Sequence, residues 1–333
     1  MPKILFSSTI FPPFIEEDEV ILRRHAEIEK LIAGGLRALI RIPGAVRRAD
    51  ITLSWFGSVY AGYTVFLAKL FGKRSIVIVA GVDASKDREI QYGIWLNPWK
   101  SPFVRYAYRH ADRVLPVDPF LRREVIRLAE YDGNNIRCIP FGFDGTRWFP
   151  GGTKERRVVT IAVCEDRSRM KKKGIDKLFD AARKLPQVPF QVLGIRQPLL
   201  HQIRPEIPAN VDMIEYLPRY QLLPFLQRAK VYCQPSYTEG LPNALCEAML
   251  CECVPVGTIA GGIPTAIGEN GYLVPYRDQN GLVAALQDAL EAPAERGTGA
   301  RNRILREFPL ERRERELVDV IRELQSSRSG HNG

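Results

Sequence analysis

Short apolar runs alternate with helical stretches along most of the chain, and this alternation constrains the fold more than any other feature. Residues 74–80 form a β-branched run typical of a buried strand, and residues 120–130 have a pattern typical of a helix. Strands separated by helices form βαβ units, which assemble into parallel sheets. The alternation stops over residues 142–153, which are rich in Gly, Pro and aromatic residues, and then begins again. The sequence therefore predicts an α/β protein with two doubly wound domains and a ligand-binding cleft between the carboxyl edges of their sheets.

The predicted boundaries are residues 1–145 and 146–310 for the two domains. Residues 311–333 are predicted to form a last helix, for which packing against the first domain is one option, and a flexible tail. Three elements of the N-terminal half follow from the same pattern. They are a helix over 17–33 that Gly34 and Gly35 end, a strand over 36–42, and a strand over 136–140.

Composition indicates a globular protein, because 45% of the residues are apolar and 26% are charged. No apolar run reaches the roughly 18 residues that a membrane-spanning helix needs, and the N-terminus becomes polar too early for a signal peptide. The six cysteines include no C-x-x-C pair, and the four histidines are scattered, so we expect free thiols in the cytoplasm and no metal site.

The formal net charge of +10 admits several interpretations. A nucleotide ligand, an anionic membrane surface, nucleic acid, or a basic surface that only meets solvent would each suit it. Aromatic residues do not alternate with the basic clusters as they do in proteins that bind single-stranded nucleic acid. Nucleic acid is therefore the weakest of the four.

Residues 236–249, which we call the signature segment, carry the clearest chemical signal. A short apolar strand precedes the segment, and a helix is predicted to begin near Pro242. Glu239 then lies on the loop after the strand, and Glu247 lies about a turn and a half into the helix. The first amides of such a helix have no partner within it and attract anions, phosphate above all. One segment thus offers two carboxylates and a group of free amides.

The signature segment resembles the donor site of retaining GT-B glycosyltransferases of the family-4 type, the glycosyl transferases of group 1. It contains E-G-L-P-N-A-L-C-E-A-M with its two Glu in E-x7-E spacing. Other family motifs are matched by residues 111–114, 136–144 (where Phe141 replaces the usual Asn), 173–176, 261–264 and 270–274. The resemblance covers residues 111–280 and is looser before them.

The resemblance implies a GT-B fold of two Rossmann-like domains and a retaining glycosyltransferase. Such an enzyme moves a hexose from a UDP- or GDP-sugar to a glycan or lipid-linked acceptor, without a metal or another cofactor. We expect no nucleic acid partner, and a location in the cytoplasm, with peripheral contact to an anionic inner membrane face as one option. The alternative is a catalytically degenerate GT-B protein that binds a nucleotide sugar or serves as a scaffold.

The resemblance also assigns roles to individual residues. Glu239 approaches the donor sugar, where a carboxylate stabilises positive charge that develops on the ring, and Glu247 accepts hydrogen bonds from the ribose hydroxyls. Lys173 and Arg167 bind the phosphates, although Arg169 or Lys172 could take either role. The remaining donor-binding positions act through the backbone: Gly240, Leu241, Pro242 and Asn243 through amides, and Gly262, with Gly261, through close approach.

The N-terminal half departs from the family pattern. No Gly-Gly follows the first strand, and no His follows the strand at residues 75–80, where the family carries a catalytic His. Asp83 is the candidate that takes its place, unless this position serves the acceptor. Trp95, Leu96 and Trp99 lie on a predicted loop and would suit a lipid-linked acceptor at an anionic membrane.

Overall fold

A computed structural model describes residues 1–329 and consists of two compact units. Unit 1 comprises Met1–Gly142 together with the C-terminal segment that begins at Leu310, and unit 2 comprises Phe143–Pro309. The boundaries predicted after residues 145 and 310 lie close to these divisions. The end of the predicted flexible tail, after Ser329, lies outside the described residues.

Strands and helices alternate along the described chain. The strands are β1 (Lys3–Ser8), β2 (Glu27–Ile32), β3 (Ile51–Trp55), β4 (Arg74–Val79), β5 (Arg113–Pro116), β6 (Glu155–Cys164), β7 (Phe190–Ile195), β8 (Val211–Glu215), β9 (Ala229–Gln234), β10 (Val254–Thr258) and β11 (Tyr272–Val274). The helices are α1 (Pro13–Arg23), α2 (Gly35–Arg48), α3 (Val59–Leu70), α4 (Ser101–His110), α5 (Pro119–Ala129), α6 (Arg167–Lys172), α7 (Ile175–Lys184), α8 (Gln197–Ile203), α9 (Leu223–Arg228), α10 (Asn243–Leu250), α11 (Ile263–Ile267), α12 (Gln279–Glu291), α13 (Ala294–Glu307) and α14 (Leu310–Ser329). Short 3-10 turns occur at Val82–Ala84, Ile94–Leu96, Arg204–Glu206 and Arg219–Gln221.

Unit 1 is built on a parallel sheet with strand order β2-β1-β3-β4-β5. The chain moves from β1 outward to β2, returns past β1 to β3, and continues to β4 and β5. Because crossovers between parallel strands are right-handed, α2, α3 and α4 cover one face of the sheet and α1 covers the other. The packing agrees with this: α3 contacts both α2 and α4, and α14 packs against α1.

Unit 2 is built on a second parallel sheet, with strand order β11-β10-β9-β6-β7-β8. Its core consists of the apolar side chains that the strands bury against flanking helices such as α7 and α12. The two parallel α/β sheets confirm the predicted fold class. The basic residues after β6 form helix α6, because the Asp166 side chain accepts a hydrogen bond from the Arg169 amide and caps the helix N-terminus.

The prediction was confirmed for residues 17–23, which are helical, and was wrong for residues 24–42. The helix predicted over 17–33 ends at Arg23, and Glu27–Ile32 forms strand β2. The charged side chains of this segment favour a helix locally, but β2 pairs with β1 at the edge of the sheet, where polar residues are tolerated.

The predicted strand over 36–42 lies instead in helix α2, and Gly34 is its N-cap residue. The residues that α2 buries are Ala38, Ile42, Ala45 and Val46, whose spacing is helical. The short apolar run at 36–42 hides this period, since such runs are ambiguous between strand and helix.

Residues 136–140, predicted as a strand, form only one isolated bridge, between Ile136 and Val114 of β5. The Ile139 amide donates to Pro116, but the carbonyls of Ile139 and Pro140 both accept hydrogen bonds from the Arg313 guanidinium. These two carbonyls therefore bind a side chain of α14, and residues 136–140 do not extend the sheet as a regular strand.

Arg313 of α14 is buried in unit 1 and forms a bidentate ion pair with Asp18 of α1, with both N–O distances at 2.6 Å. Its guanidinium also lies over the rings of Trp55 and Phe141, at 5.9 and 5.1 Å from their centroids. This one side chain therefore fastens the C-terminal helix to α1 and to residues 139–141.

We expect Arg313→Ala to lower the free energy of unfolding of unit 1 by about 3–5 kcal/mol, because it leaves the Asp18 carboxylate buried without its partner. Urea unfolding followed by tryptophan fluorescence measures the loss. Arg24→Ala is the matched control, since Arg24 joins the same two helices through an exposed ion pair with Glu314, and it should cost about 1 kcal/mol or less. Equal losses for the two variants would contradict the importance of the buried pair.

Candidate active site

The residues of the signature segment lie at the carboxyl edge of the unit 2 sheet. The chain runs from β6 to β7 and β8 on one side, and then crosses back to place β9 on the other side of β6. The carboxyl ends of β6 and β9 are thus adjacent at a topological switch point, where open α/β sheets bind ligands. We call residues 165–174, which follow β6, the Lys173 loop, and residues 235–242, which follow β9, the Glu239 loop.

Glu239 and Lys173 meet at this point. The Lys173 Nζ lies 2.6 Å from Glu239 Oε1, and the Gln234 Nε2 lies 3.3 Å from the same oxygen. The Glu239 side chain is only 11% exposed. Burial acts to raise the pKa of Glu239, but the charges of Lys173 and Lys172, with hydrogen bonds from Lys173 and Ser236, hold that pKa below its usual value. Glu239 is therefore anionic at neutral pH.

Backbone contacts fix the Lys173 loop against the Glu239 loop. The Tyr237 amide donates to the Lys172 carbonyl at 2.7 Å. Gly174 has a φ of +68°, and a Cβ at this position would lie 1.9 Å from the Pro235 carbonyl oxygen. Only glycine allows this approach, and it places Lys173 beside Glu239.

Gly261 and Gly262 hold the Glu239 loop from its other side. The Gly262 amide donates to the Glu239 carbonyl at 3.1 Å. Gly261 has a φ of +56°, and a Cβ there would lie 2.0 Å from the same carbonyl oxygen. The Gly262 amide thus has a partner within the protein. The close approach that we predicted between these two glycines and a donor is instead made with the Glu239 backbone. Donor contact by Gly262 stays a prediction.

Helix α10 begins directly after the Glu239 loop, with Pro242 as its N-cap residue. The side chain of Leu241 is buried, so a donor would meet Leu241 only through its backbone. Pro242 has no N–H, which corrects its prediction as an amide donor. Gly240, Leu241 and Asn243 keep amides near the N-terminus of α10, and donor binding by them remains a prediction.

Glu247 is buried, and Arg219 is its partner. The Arg219 Nε and Nη2 lie 2.7 and 2.5 Å from Glu247 Oε1, and the Arg219 side chain is only 15% exposed. The guanidinium also lies 5.6 Å from the centroid of the buried Trp148 ring. The sequence analysis missed Arg219, because it lies 28 residues from Glu247 in a turn that no motif marks.

The predicted phosphate ligands separate into two groups. Lys173 lies beside Glu239, and the Lys172 charge also acts on that carboxylate. Arg167, by contrast, forms an exposed ion pair with Glu206 at 2.7 Å. Of the alternatives left open, this geometry favours Lys172 over Arg167 as the second cation near Glu239.

Asp83 lies in unit 1 and is fully buried. Its carboxylate accepts hydrogen bonds from the amides of Gly57, Ala80 and Gly81 and from the Tyr108 hydroxyl, at 2.8–3.2 Å. Burial raises the pKa of Asp83, and these hydrogen bonds oppose the shift. Such a carboxylate positions the loops after β3 and β4. The catalytic role predicted for Asp83 stays untested, and this geometry favours a positioning role.

Trp95 was predicted to lie on an acceptor loop. Its side chain is buried, and its indole N–H donates to the Asp83 carbonyl at 2.7 Å. Trp99, in contrast, is exposed.

Within residues 1–329, no group of three His, Cys, Asp or Glu side chains is arranged to hold a metal ion. None of the helices in this range combines the length and the apolar character that a membrane span requires.

Residues 158–292 match the family model described as Glycosyl transferases group 1. This part of the chain is similar to the group 1 glycosyltransferases. The glycosyltransferase WcaL of Escherichia coli K12, named for colanic acid biosynthesis, is 26% identical over 332 residues, which cover 91% of this chain and 77% of WcaL. The family match and this relative confirm the predicted enzyme class.

The fold comparison extends over nearly the whole chain. Sucrose-phosphate synthase from Thermosynechococcus elongatus superposes with a TM-score of 0.80 and 16% identity, covering 98% of this chain and 100% of that one. HepE of Anabaena, solved in complex with UDP-glucose, gives a TM-score of 0.77 and 14% identity, covering 97% and 100%. These likenesses confirm the predicted GT-B fold.

Substitution of Gly261 tests whether that glycine positions Glu239. Gly261→Ala must displace the Glu239 backbone, so we expect lower transferase activity and a loss in the free energy of unfolding above the roughly 1–2 kcal/mol of a left-handed alanine. Gly152→Ala is the control, because Gly152 has a φ of +63° and no atom within 4 Å of an added Cβ. Urea unfolding and activity assays measure both variants, and equal effects would refute the positioning role.

The lowered pKa of Glu239 gives a test by pH. Above the unfolded-state pKa of about 4.3, the ion pair stabilises the wild type, and this contribution is lost as the pH falls through the lower folded-state pKa. Lys173→Met removes a positive charge from beside the buried Glu239 carboxylate. We therefore expect the free energy of unfolding to fall by about 1–3 kcal/mol at pH 7. The difference from wild type should shrink below about pH 4.3.

Urea unfolding at a series of pH values measures this difference. Lys171→Met is the control, because Lys171 is exposed in the same loop, whereas the lysines that lower the pKa of Glu239 are Lys173 and Lys172. A difference between Lys173→Met and wild type that stays constant with pH would contradict the coupling.

Proposed function

We propose that this enzyme transfers a hexose, with retention of configuration and without a metal ion, from a UDP- or GDP-sugar to a glycan or lipid-linked acceptor. One observation carries the proposal: an anionic, largely buried Glu239 pairs with Lys173, is affected by the charge of Lys172, and closely precedes the N-terminus of α10 in the chain. Cationic groups and a carboxylate at one sheet edge suit a donor that has both a diphosphate and a reacting sugar.

The two parts of this site match the charges that glycosyl transfer creates. The departing nucleoside diphosphate carries negative charge, which Lys173, Lys172 and the amides at the start of α10 would stabilise. The sugar ring becomes oxocarbenium-like, and the Glu239 carboxylate would stabilise that positive charge. Because an ammonium group has three N–H donors, Lys173 can bind Glu239 and a phosphate oxygen together.

Glu247 would accept hydrogen bonds from the ribose hydroxyls of the donor. Arg219 binds one of its oxygens, Oε1, and so fixes the carboxylate in one orientation. The HepE structure contains UDP-glucose, which supports a UDP-sugar as the first donor to test.

A cavity of about 20 Å³ lies between the carboxyl ends of β1 and β3 in unit 1. It has room for about one water molecule, so the acceptor class is inferred from a relative and not from this cavity. Since WcaL is named for colanic acid biosynthesis, we infer a role in polysaccharide assembly, in the cytoplasm where free thiols persist.

The decisive variant is Glu239→Gln, which removes the charge and keeps the shape. We expect transfer to fall by about 100-fold or more, while a UDP- or GDP-sugar still raises the melting temperature. Glu206→Gln, at the exposed pair with Arg167, is the control and should retain activity. Wild-type turnover by Glu239→Gln would refute the role of Glu239.

Donor identity is tested by thermal shift with a panel of nucleotide sugars and bare nucleotides. A ligand that binds only the native state, at 100 times its Kd, stabilises that state by about 2.7 kcal/mol. We expect one UDP- or GDP-sugar to stabilise the wild type and to lose this effect with Glu247→Ala. Stabilisation by none of the panel would contradict the proposed donor class.

A further inference from the structure

Three neighbouring helices of unit 1 carry positive charge and no carboxylate. Helices α2, α3 and α4 contain no Asp or Glu. Their seven Lys and Arg residues are Arg37, Arg41, Arg47, Arg48, Lys69, Arg105 and Arg109. Two of the seven are paired with carboxylates outside these helices, Arg48 with Glu29 and Arg105 with Glu130. The three helices therefore keep a net positive charge.

The same three helices expose large apolar side chains. On α2, Leu36 is 71% and Ile40 is 69% exposed, and these residues lie one turn apart. The other exposed apolar residues are Leu39 on α2, Phe66 and Leu70 on α3, and Phe103 on α4. Helix α2 already buries a separate apolar stripe that includes Ala38 and Ile42. Its exposed Leu36 and Ile40 are therefore not needed for the core.

We call these seven basic and six apolar residues the basic apolar face. Helix α3 packs between α2 and α4 on one side of the sheet, so the three helices present their outward residues in the same general direction. Scattered apolar residues are normal on a protein surface, but a set on three adjacent helices that contain basic residues and no acidic residue indicates an interaction site.

We propose that the basic apolar face docks the enzyme on the surface of an anionic lipid bilayer. Leu36, Ile40 and Leu70 would enter the boundary between headgroups and acyl chains, and the arginines would contact lipid phosphates. Each basic residue near an anionic surface strengthens binding about fivefold. The exposed Trp99 precedes α4 and suits the same interface.

Two other occupants fit these observations less well. Nucleic acid would use the arginines, but four of the six apolar residues of the face are Leu or Ile, which offer no stacking surface to bases. A second copy of the chain would bring two basic faces together, and their like charges would repel. Docking does not depend on which donor the enzyme uses, so it can fail or hold independently of the proposed function.

The experiment is co-sedimentation of the purified protein with vesicles of phosphatidylcholine and phosphatidylglycerol at 3:1, compared with phosphatidylcholine alone. We expect binding to the anionic vesicles that 0.5 M NaCl weakens. The double variants Leu36→Asn/Ile40→Asn and Arg37→Glu/Arg41→Glu should each weaken binding by about tenfold or more. Since these side chains are exposed, unchanged melting temperatures are expected and establish that the variants fold.

Arg315→Glu/Arg322→Glu is the matched control, because it makes the same charge change at exposed positions of α14, which packs against α1. It should retain binding, and so should Glu239→Gln. Equal loss with this control, or no preference for anionic vesicles, would overturn the proposal. The proposal would also be overturned if variants of the basic apolar face lost binding to duplex DNA but kept binding to vesicles. A dimer in solution that Leu36→Asn/Ile40→Asn dissociates would overturn it as well.

Discussion

A carboxylate that is almost removed from solvent needs a cation, and the arrangement of unit 2 around Glu239 follows from that need. Lys173 supplies the cation only because β6 and β9 are neighbours, so the loops that follow them leave the sheet side by side. Two glycines then allow backbone contacts that a side chain would prevent, Gly174 against Pro235 and Gly261 against Glu239. The order of the strands and the two glycines together determine where the Glu239–Lys173 ion pair lies.

The ion pairs of this chain differ in what they accomplish. The pair between Glu239 and Lys173 keeps a carboxylate charged at a sheet edge that can receive a ligand. The pair between Arg219 and Glu247 is more deeply buried and orients one carboxylate oxygen while the ring of Trp148 packs beside it. The pair between Arg313 and Asp18 is almost completely buried, and it only attaches α14 to α1. Burial and second contacts, more than the N–O distance, distinguish these uses.

Much of this architecture could be predicted from local pattern, and the failures have physical causes. Elements with a strong period, such as β4 and α5, appear where the sequence predicts them. The prediction for residues 24–42 failed because an edge strand has little apolar character and a short apolar run hides its period. Motif resemblance singled out Glu239, Glu247 and Lys173, which lie in contiguous signatures. The structure brings Glu239 and Lys173 together, and the roles of all three in catalysis and binding stay predictions.

Arg219 and the network around Asp83 could not be predicted, because each depends on contacts between residues that are distant in the sequence. The same property of the chain has a consequence for its synthesis. Arg313 emerges from the ribosome 295 residues after Asp18. Unit 2 is continuous in sequence and can fold while α14 is still being made, but unit 1 cannot pair its buried carboxylate until α14 has been made. The first unit to be translated is thus the last to be completed, and a nascent chain truncated before residue 310 would carry a folded unit 2 beside an unfinished unit 1.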